Sequence, residues 1–298
     1  MSSIHQFGGN WTEEKLRRLE KYLAAYTKIF QANRWAQRYT TYYVDAFAGT
    51  GRRTEAELQN STLSLFDDND TLDVTRFYRG SARIALEIDP GFDQFMFIDT
   101  NLQHIEELGV LKNEYPNKAA SIDIRHGDAN DVLLKWINDT DWTRTRAVVF
   151  LDPYGMSVDW TTIQALALTK AIDLWVLLPV GQAINRLLTR KGVPDGPWAD
   201  KLTRFFGNEQ WKQEFYRPRL QASLFDELTS EYEKTATFES ISDFFIKRLS
   251  EEFVEVAKDS LVLLNSKNNP LFVLFFAASN PRGAPTAVKI AGDILRAS

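Results

Sequence analysis

Asp152-Pro153-Tyr154-Gly155 follows an apolar stretch and places a carboxylate, a proline and an aromatic ring in direct succession. An exocyclic amine of a nucleobase is a poor nucleophile, because its lone pair is delocalised into the ring. A carboxylate and a backbone carbonyl that accept its two N–H bonds make the nitrogen more pyramidal and more reactive. Asp152 and the Pro153 carbonyl are candidate acceptors, and Tyr154 is a candidate stacking surface for the base. The motif predicts a catalytic trio, Asp152, Pro153 and Tyr154, with a plain strand-ending turn as the alternative.

A glycine motif, Asp45-Ala46-Phe47-Ala48-Gly49-Thr50-Gly51, directly follows a predicted strand that ends at Asp45. Glycines allow a sharp turn and a close approach of the backbone to a ligand. A dinucleotide site would have a third glycine at position 54, where Thr54 stands, so a pyrophosphate cradle is disfavoured. An acid before the glycines fits a cofactor with an ammonium group, such as S-adenosylmethionine. The predicted cofactor-binding residues are Asp45, Phe47, Ala48, Gly49 and Gly51.

Two further acids follow predicted strands. Asp99 ends the second strand, and Asp128 lies in Gly127-Asp128-Ala129-Asn130 after the third. A carboxylate at the end of the second strand can accept both hydroxyls of an adenosyl ribose, and Asp128 is a candidate acceptor for an adenine amino group. Each acid is also placed to cap the following helix, a role that is compatible with binding. We assign Asp99, Asp128 and Ala129 to the predicted cofactor site.

The hydrophobic pattern alternates strands with helices. Continuous apolar strands are typical of a parallel sheet that is covered on both faces, so we predict an α/β, Rossmann-like sheet of about seven strands. A hairpin near the end of the chain predicts that the last strand is antiparallel. The predicted segments are an N-terminal helical segment (1–38, with Thr12 capping its helix), a cofactor-binding core (39–181), a helical insertion (182–257) and a terminal hairpin and helix that complete the core (258–298).

The composition excludes several kinds of chemistry. The chain of 298 residues has no cysteine, so disulfides, thiolate zinc sites and iron–sulfur clusters are excluded. The cysteine nucleophile that methylation of cytosine carbon 5 normally needs is also absent. Three scattered histidines predict no metal site. No signal peptide or membrane span is recognised, and we expect a cytoplasmic protein with no membrane association.

A basic cluster, Arg186, Arg190 and Lys191, follows the fifth predicted strand. Ligands of open α/β sheets bind at the carboxyl ends of the strands, so these residues are candidate phosphate contacts. The alternative is an ordinary solvated surface. The net charge of −5 argues against a generally basic protein but allows a local basic groove. Lys15, on the first helix, is interpreted as a solvated lysine, although that helix could bring it near the cofactor pocket.

The glycine motif followed by Asp152-Pro153-Tyr154-Gly155 resembles the class I amino-methyltransferases, whose fourth motif is Asp-Pro-Pro-Tyr or a relative. The helix with Lys15, the glycine motif and the delayed Gly80-Ser81 resemble ribosomal-RNA adenine-N6 methyltransferases of the RlmJ type. The run from Leu151 to Gly155 resembles the tRNA guanine-N2 dimethyltransferases. The glycine motif, Gly80-Ser81-Ala82, Phe97-Ile98-Asp99, Gly127-Asp128-Ala129-Asn130 and the run from Leu151 to Met156 are together most similar to the three-Cys-motif partner family, TcmP. This resemblance covers most of residues 11–220. Tyr154 stands where amino-methyltransferases have a second proline, which leaves the target atom open.

These resemblances imply a class I methyltransferase sheet, S-adenosylmethionine as cofactor, and a protein partner that carries a three-cysteine motif. We therefore predict an S-adenosylmethionine-dependent N-methyltransferase that acts on an exocyclic amine of a nucleobase, adenine or guanine, in RNA or DNA. One alternative is a catalytically weak or inactive methyltransferase-fold partner subunit of a larger system. Another is a methyltransferase that acts on a protein or a small molecule.

Overall fold

The computed structural model describes residues 10–49, 80–190, 192–221, 229–265 and 267–297. Two predicted site residues, Gly51 and Lys191, lie outside the described residues. The described strands are β1 (Thr40–Asp45), β2 (Gln94–Asp99), β3 (Ile122–His126), β4 (Thr145–Leu151), β5 (Ile172–Leu178), β6 (Tyr216–Gln221), β7 (Thr229–Lys234), β8 (Glu255–Val256), β9 (Leu261–Leu264) and β10 (Pro270–Ala278).

Helices alternate with these strands. The described α-helices are α1 (Asn10–Ala32), α2 (Ser81–Glu87), α3 (Leu102–Glu114), α4 (Ala129–Asp139), α5 (Trp160–Leu168), α6 (Gly196–Phe206), α7 (Gln210–Phe215), α8 (Phe238–Glu252) and α9 (Ala284–Arg296). A 3₁₀ segment, Pro116–Ser121, precedes β3, and a π-helical turn, Val180–Ile184, follows β5 and continues into one α-helical turn, Asn185–Leu187. None of the described helices is long and apolar enough to cross a membrane.

The main sheet has the strand order β3-β2-β1-β4-β5-β10, and the short strands β8 and β9 both pair with β10. Strands β1 to β5 pair in parallel, whereas β10 runs antiparallel to β5. Every residue of β5 is buried, as expected for a strand covered on both faces. The predicted α/β, Rossmann-like sheet with an antiparallel last strand is confirmed, and so is the closing hairpin formed by β9 and β10.

Two hydrophobic layers cover the sheet. Helices α4 to α8 pack on one face, and α1, α2, α3 and α9 pack on the other. Helix α1 buries a stripe of Leu19, Tyr22, Leu23 and Tyr26 against the sheet. Burying a side chain of this size contributes about 1.5–3 kcal/mol, so this stripe fixes how α1 lies across the strands.

The prediction for residues 182–257 was wrong in part. That segment contains α6, α7 and α8, but β6 and β7 form a separate two-stranded antiparallel sheet. The polar residues of β7 gave no sign of a strand, because a polar helix and a polar strand have the same composition. Helix α1 begins at Asn10, two residues before the predicted cap Thr12.

Candidate active site

The carboxyl ends of β1, β2 and β4 meet at one edge of the sheet, called here the carboxyl edge. The amide of Ala46 donates to the Phe150 carbonyl over 3.1 Å, and the amide of Ala48 donates to the Ile98 carbonyl over 2.9 Å. These bonds continue the strand pairing past the end of β1. They bring together Asp45, Asp99 and Asp152, three of the acids that the sequence predicted as site residues.

Asp152 forms a buried ion pair with Lys15. The Lys15 Nζ donates to Oδ2 of Asp152 over 2.5 Å, and the two side chains are 1% and 4% exposed. The stem of Lys15 crosses the sheet face, with Nζ lying 5.1 Å from the centre of the Phe150 ring. The interpretation of Lys15 as a solvated lysine was wrong. Lys15 extends the apolar stripe of α1 by one turn, because it precedes Leu19 by four residues, and that spacing was the signal available in the sequence.

The second oxygen of Asp152 is the unusual atom of the site. Oδ1 is buried and has no hydrogen-bond partner among the described residues. Burial raises the pKa of Asp152, and the Lys15 ammonium opposes that rise. Burial in turn lowers the pKa of Lys15 to about 8, although Asp152 opposes that fall. A buried acceptor without a donor is costly, so Oδ1 is where a ligand N–H or O–H group would be stabilised.

Asp45 is fully buried at the end of β1. Its Oδ2 accepts the Ser81 hydroxyl over 2.6 Å, and its Oδ1 accepts the Phe47 amide over 3.3 Å. Burial raises the pKa of Asp45 to about 7; the Ser81 hydrogen bond opposes the rise, and the charge of Asp152 adds to it. Ser81 was named from the sequence only as part of a resemblance, and its contact with Asp45 was not predicted. Helix α2 begins at Ser81 and packs against β1, which aims the hydroxyl at Asp45.

Asp99 accepts hydrogen bonds from the backbone on both oxygens. The Gly49 amide donates to Oδ2 over 3.0 Å, and the Asn101 amide donates to Oδ1 over 2.8 Å. His104 was not predicted as a site residue; its Nδ1 lies 3.1 Å from Oδ1 without the alignment of a hydrogen bond. Burial raises the pKa of Asp99, but His104 and the two amides outweigh burial and hold it below its usual value. Asp99 is thus an oriented, ionised acceptor, and its contact with a ribose stays a prediction.

Gly49 has a φ of +22°, in the region that glycine adopts most easily. A Cβ at this position would lie 3.7 Å from Oδ2 of Asp99, an ordinary contact distance. The backbone angle, rather than lack of space, therefore requires the glycine. Ala48 is buried and Phe47 is half-buried, so this turn is held by packing as well as by the Asp99 hydrogen bond.

Asp128 caps α4, the alternative that the sequence left open. Its Oδ1 accepts the Asn130 amide over 2.8 Å, while the side chain remains exposed. Ala129 behind it is buried. Asn130 ties this helix start to the loop after β4, because its Oδ1 accepts the Asp159 amide and its Nδ2 donates to the Ser157 carbonyl, each over 2.9 Å. An adenine contact of Asp128 stays a prediction.

The rest of the Asp152 turn adjoins the segment after β5. Pro153 is buried and Tyr154 is half-buried against the core on the α1 side. A Cβ on Gly155, which has a φ of +60°, would lie 4.0 Å from the Cβ of Ala183. Ala183 is in the π-helical turn that leads to Arg186. The Asp152 turn and the predicted phosphate-binding segment therefore share the carboxyl edge.

Arg186 and Arg190 line an open groove of about 1600 Å³. Two exposed aromatic side chains, Trp198 and Tyr232, also line it, and they are 51% and 48% exposed. Lys234 forms one wall and donates to the carbonyls of Asn185 and Leu188 over 2.9 and 2.8 Å. The groove thus combines cations with aromatic surfaces. The tryptophan and the tyrosine were not predicted as part of it.

Comparisons with known proteins support the fold. Protein LPL1258 of Legionella pneumophila, of the DUF519 family, is 14% identical, with a TM-score of 0.50 over 98% of this chain and 92% of its own. An O-methyltransferase from Bacillus cereus, in complex with SAH, is 12% identical, with a TM-score of 0.34 over 87% of this chain and 80% of its own. No family model and no curated protein matches the sequence. The similarity to LPL1258 agrees with the Rossmann-like α/β fold that the strand order shows, and sequence similarity shows no family.

Proposed function

We propose that this protein is an S-adenosylmethionine-dependent N-methyltransferase that acts on an exocyclic amine of a nucleobase in RNA or DNA. The observation that carries the proposal is the Asp152 carboxylate, which is buried at the end of β4 with Oδ2 held by Lys15 and Oδ1 without a partner among the described residues. This arrangement is an oriented acceptor that can still take a donor. An amine that is about to react is such a donor.

The charges of the residues at the carboxyl edge are complementary to those of the cofactor. Asp45, Asp99 and Asp152 are buried, and among the residues that the structure describes Lys15 is the cation paired with them, through Asp152. This excess of carboxylates favours a ligand with positive groups. When bound, S-adenosylmethionine supplies an electrophilic methyl group and carries an ammonium group. Asp45 and the turn Phe47, Ala48 and Gly49 would hold its amino-acid part, and Asp99, Asp128 and Ala129 its adenosyl part.

Asp152 has two tasks in this proposal. Its Oδ1 accepts one N–H bond of the amine and so keeps the nitrogen lone pair out of the ring. As the new C–N bond forms, the nitrogen must lose a proton, and Asp152 is the nearest base. Lys15 acts on Asp152 rather than on the substrate. Its ammonium fixes the orientation of the carboxylate and favours the ionised form, which makes Lys15 a positioning residue.

The groove beside the Asp152 turn supports nucleic acid as the substrate class. Arg186 and Arg190 offer sequence-independent contacts to phosphates, and Trp198 and Tyr232 offer surfaces on which unpaired bases stack. The net charge of −5 makes such a confined groove necessary for phosphate binding. Identification of the labelled nucleoside in the test below distinguishes adenine from guanine and RNA from DNA.

The direct test incubates the protein with methyl-labelled cofactor and total cellular RNA or DNA, and then identifies the labelled nucleoside. We expect Asp152→Asn to lose about 100-fold in transfer rate or more, the scale for a positioned polar group, with cofactor affinity kept. The matched control is Asp139→Asn, an exposed aspartate at the end of α4. Wild-type turnover in the Asp152 variant would refute the proposed role.

The groove is tested by titrating RNA and DNA oligonucleotides at several salt concentrations. Replacing Arg186 and Arg190 by alanine should flatten the salt dependence by about 0.7–0.9 log unit for each phosphate that the variant no longer neutralises. Cofactor affinity should not change, because neither side chain belongs to the proposed cofactor site. Equal salt slopes in wild type and variant would place the nucleic acid elsewhere.

A methyltransferase-fold partner subunit is the second candidate function. The observation in its favour is again the ion pair, because Lys15 already neutralises the carboxylate that would receive the amine. Such a subunit would associate with a protein that carries a three-cysteine motif. Cofactor binding without transfer to RNA, DNA, proteins or small molecules would favour this candidate over the enzyme.

A further inference from the structure

A second cavity lies at the opposite edge of the sheet, where β4 and β5 begin. It has a volume of about 340 Å³, within the range of small-molecule sites. Its walls come from the second half of α1, the segment after α1, and the start of α9. The side chains used below are Tyr22, Trp35, Arg38, Tyr39, Arg146, Asp173 and Arg282.

Asp173 is the buried charged group of this cavity. It is 8% exposed, and its Oδ2 accepts the Tyr22 hydroxyl over 2.6 Å. Tyr22 is the only donor to this side chain within the described part of the chain, so Oδ1 receives no hydrogen bond there. Asp173 lines the cavity, and its Oδ1 is not among the fully buried atoms that lack a partner, so this oxygen is an acceptor that a ligand in the cavity could use.

Three arginines line the same cavity, and one of them, Arg146, also donates to the carbonyls of Trp142 and Thr145. Arg38 and Arg282 are exposed and Arg146 is half-buried. Among the residues that the structure describes, none of the three forms a salt bridge with a carboxylate. Three positive charges and one carboxylate leave the cavity with an excess of cations, which favours an anionic group on the ligand.

Aromatic rings connect these charges. The Arg146 guanidinium lies 3.9 Å from the centre of the Tyr39 ring, and Arg38 donates to the Tyr39 hydroxyl over 2.9 Å. Arg38 also lies 5.9 Å from the centre of the Trp35 ring, which is 76% exposed. An exposed tryptophan of this size beside a cavity is a surface on which a planar ligand can stack.

We propose that this cavity binds a mononucleotide. The base would donate an N–H bond to Oδ1 of Asp173 and stack on the aromatic walls, and the phosphate would bind the arginines. A simple anion would gain nothing from the Asp173 carboxylate, and an apolar ligand would gain nothing from the arginines. The site is separate from the carboxyl edge, so it does not depend on the proposed function.

The test is calorimetric titration of the full chain with adenosine 5′-monophosphate, adenosine, inorganic phosphate and a 5′-phosphorylated oligonucleotide. Saturating S-adenosylhomocysteine is present, and Asp99→Ala is titrated as well, so that binding at the carboxyl edge is recognised. We expect the mononucleotide to bind more tightly than adenosine or phosphate, and Asp99→Ala not to change its affinity.

Two variants separate the contacts. Replacing Arg38 and Arg282 by glutamine should weaken mononucleotide binding by about tenfold or more, because glutamine cannot make the charge-assisted hydrogen bonds that arginine makes to phosphate, and should leave adenosine binding unchanged. Asp173→Leu should weaken the binding of both adenosine and the mononucleotide. If Asp173→Leu fails to fold, Tyr22→Phe combined with Asp173→Leu removes the unpaired hydroxyl as well. Arg204→Gln, an exposed arginine on α6, is the control.

The proposal is overturned if wild type binds no mononucleotide at millimolar concentration, or if inorganic phosphate binds equally well. It is also overturned if the oligonucleotide binds far more tightly than the mononucleotide and the arginine variant loses that binding, because the occupant would then be a strand end. Failure of these titrations leaves cofactor binding and methyl transfer untouched, so the two proposals fail separately.

Discussion

The two edges of the sheet repeat one arrangement with different chemistry. At each edge a buried aspartate next to a strand end contacts a side chain of α1: Lys15 reaches Asp152 over 2.5 Å, and Tyr22 reaches Asp173 over 2.6 Å. The two α1 residues are seven positions apart, roughly 10 Å along the helix. One aspartate is paired with a cation and the other with a neutral hydroxyl.

The α1 side chain that contacts each buried carboxylate affects how readily that carboxylate ionises. A hydroxyl offers a hydrogen bond but no charge, and burial raises the pKa of Asp173 to about 7 despite Tyr22. The Lys15 ammonium offers both and opposes the effect of burial on Asp152. An acceptor for a reacting amine must be ionised, so the lysine suits chemistry, whereas the tyrosine suits a binding site or a structural contact.

The largest effect should come from Lys15→Met, which removes the cation and leaves Asp152 uncompensated. Breaking a buried ion pair costs about 3–5 kcal/mol, and we expect a loss of that size in urea unfolding at pH 7. The acid limb of the pH–rate profile should move to higher pH, because Asp152 without its cation ionises only there. Lys15→Arg should restore part of both.

The control for this prediction is the double variant Lys15→Met with Asp152→Asn. The double variant has no unpaired Asp152 carboxylate, so its free energy of unfolding should exceed that of Lys15→Met alone. If the double variant is the less stable of the two, Lys15→Met loses stability because the lysine stem no longer packs, and not because the Asp152 charge is unpaired. The proposed difference between the two edges would then be wrong.

Asp45→Asn should have the next largest effect. Loss of a charge-assisted hydrogen bond to an ammonium group costs roughly 1.5–3 kcal/mol, so cofactor affinity at pH 8 should fall about tenfold or more. In wild type, affinity should rise with pH through about 7, the pKa of Asp45, because the ionised form binds the cation. Calorimetry between pH 6 and 8 checks both expectations, and a wild-type affinity that does not change with pH would contradict the second.

The same variant should gain stability at high pH. The folded pKa of Asp45 lies above its unfolded value, so the stability it contributes is complete below pH about 4 and is lost as pH rises through about 7. Asparagine does not ionise and escapes that loss. Urea unfolding should therefore favour Asp45→Asn over wild type more strongly at pH 8 than at pH 5.

Tyr22→Phe should have the smallest effect. Removing one hydrogen bond costs about 1 kcal/mol, and no loss of transfer is expected, because Tyr22 serves the edge remote from Asp152. Tyr22 holds the pKa of Asp173 down, so the stability difference from wild type should grow from pH 5 to pH 8 as the carboxylate loses its donor. A large loss of activity would show that the two edges are not independent.

The sequence predicted the sheet and the acids at its carboxyl edge, because both depend on local patterns. The apolar strands β1 and β2 end in Asp45 and Asp99, and Asp152 follows β4 directly, so strand and acid are visible in one short stretch of sequence. The roles of three residues, Lys15, Ser81 and His104, were not predicted from the sequence. Each of them contacts an aspartate that is distant in the sequence or lies on another element, and no local sequence pattern indicates such a contact. The β6–β7 sheet was missed for another reason, since its exposed polar residues carry no hydrophobic period.

The cavity at the opposite edge could not be predicted from the sequence either. Its residues come from α1, from the segment after it, from β4, from β5 and from the residues around Arg282. Each arginine is an ordinary surface residue when considered alone. The sheet order, which places β4 and β10 on the two sides of β5, brings Arg146 and Arg282 to one cavity, and the segment after α1 adds Arg38.

Several tertiary contacts of helix α1 can form only late in translation, because the segments that make them are far along the chain. Lys15 is separated from Asp152 by 137 positions, and Arg18, on the same helix, donates to the Ile294 carbonyl 276 positions later. The helix therefore leaves the ribosome long before the strands and the helix that cover its apolar stripe. Contacts of such long range form slowly, so Lys15 has no partner until Asp152 has been translated, and the cover that α9 gives to α1 is incomplete until translation has passed Ile294.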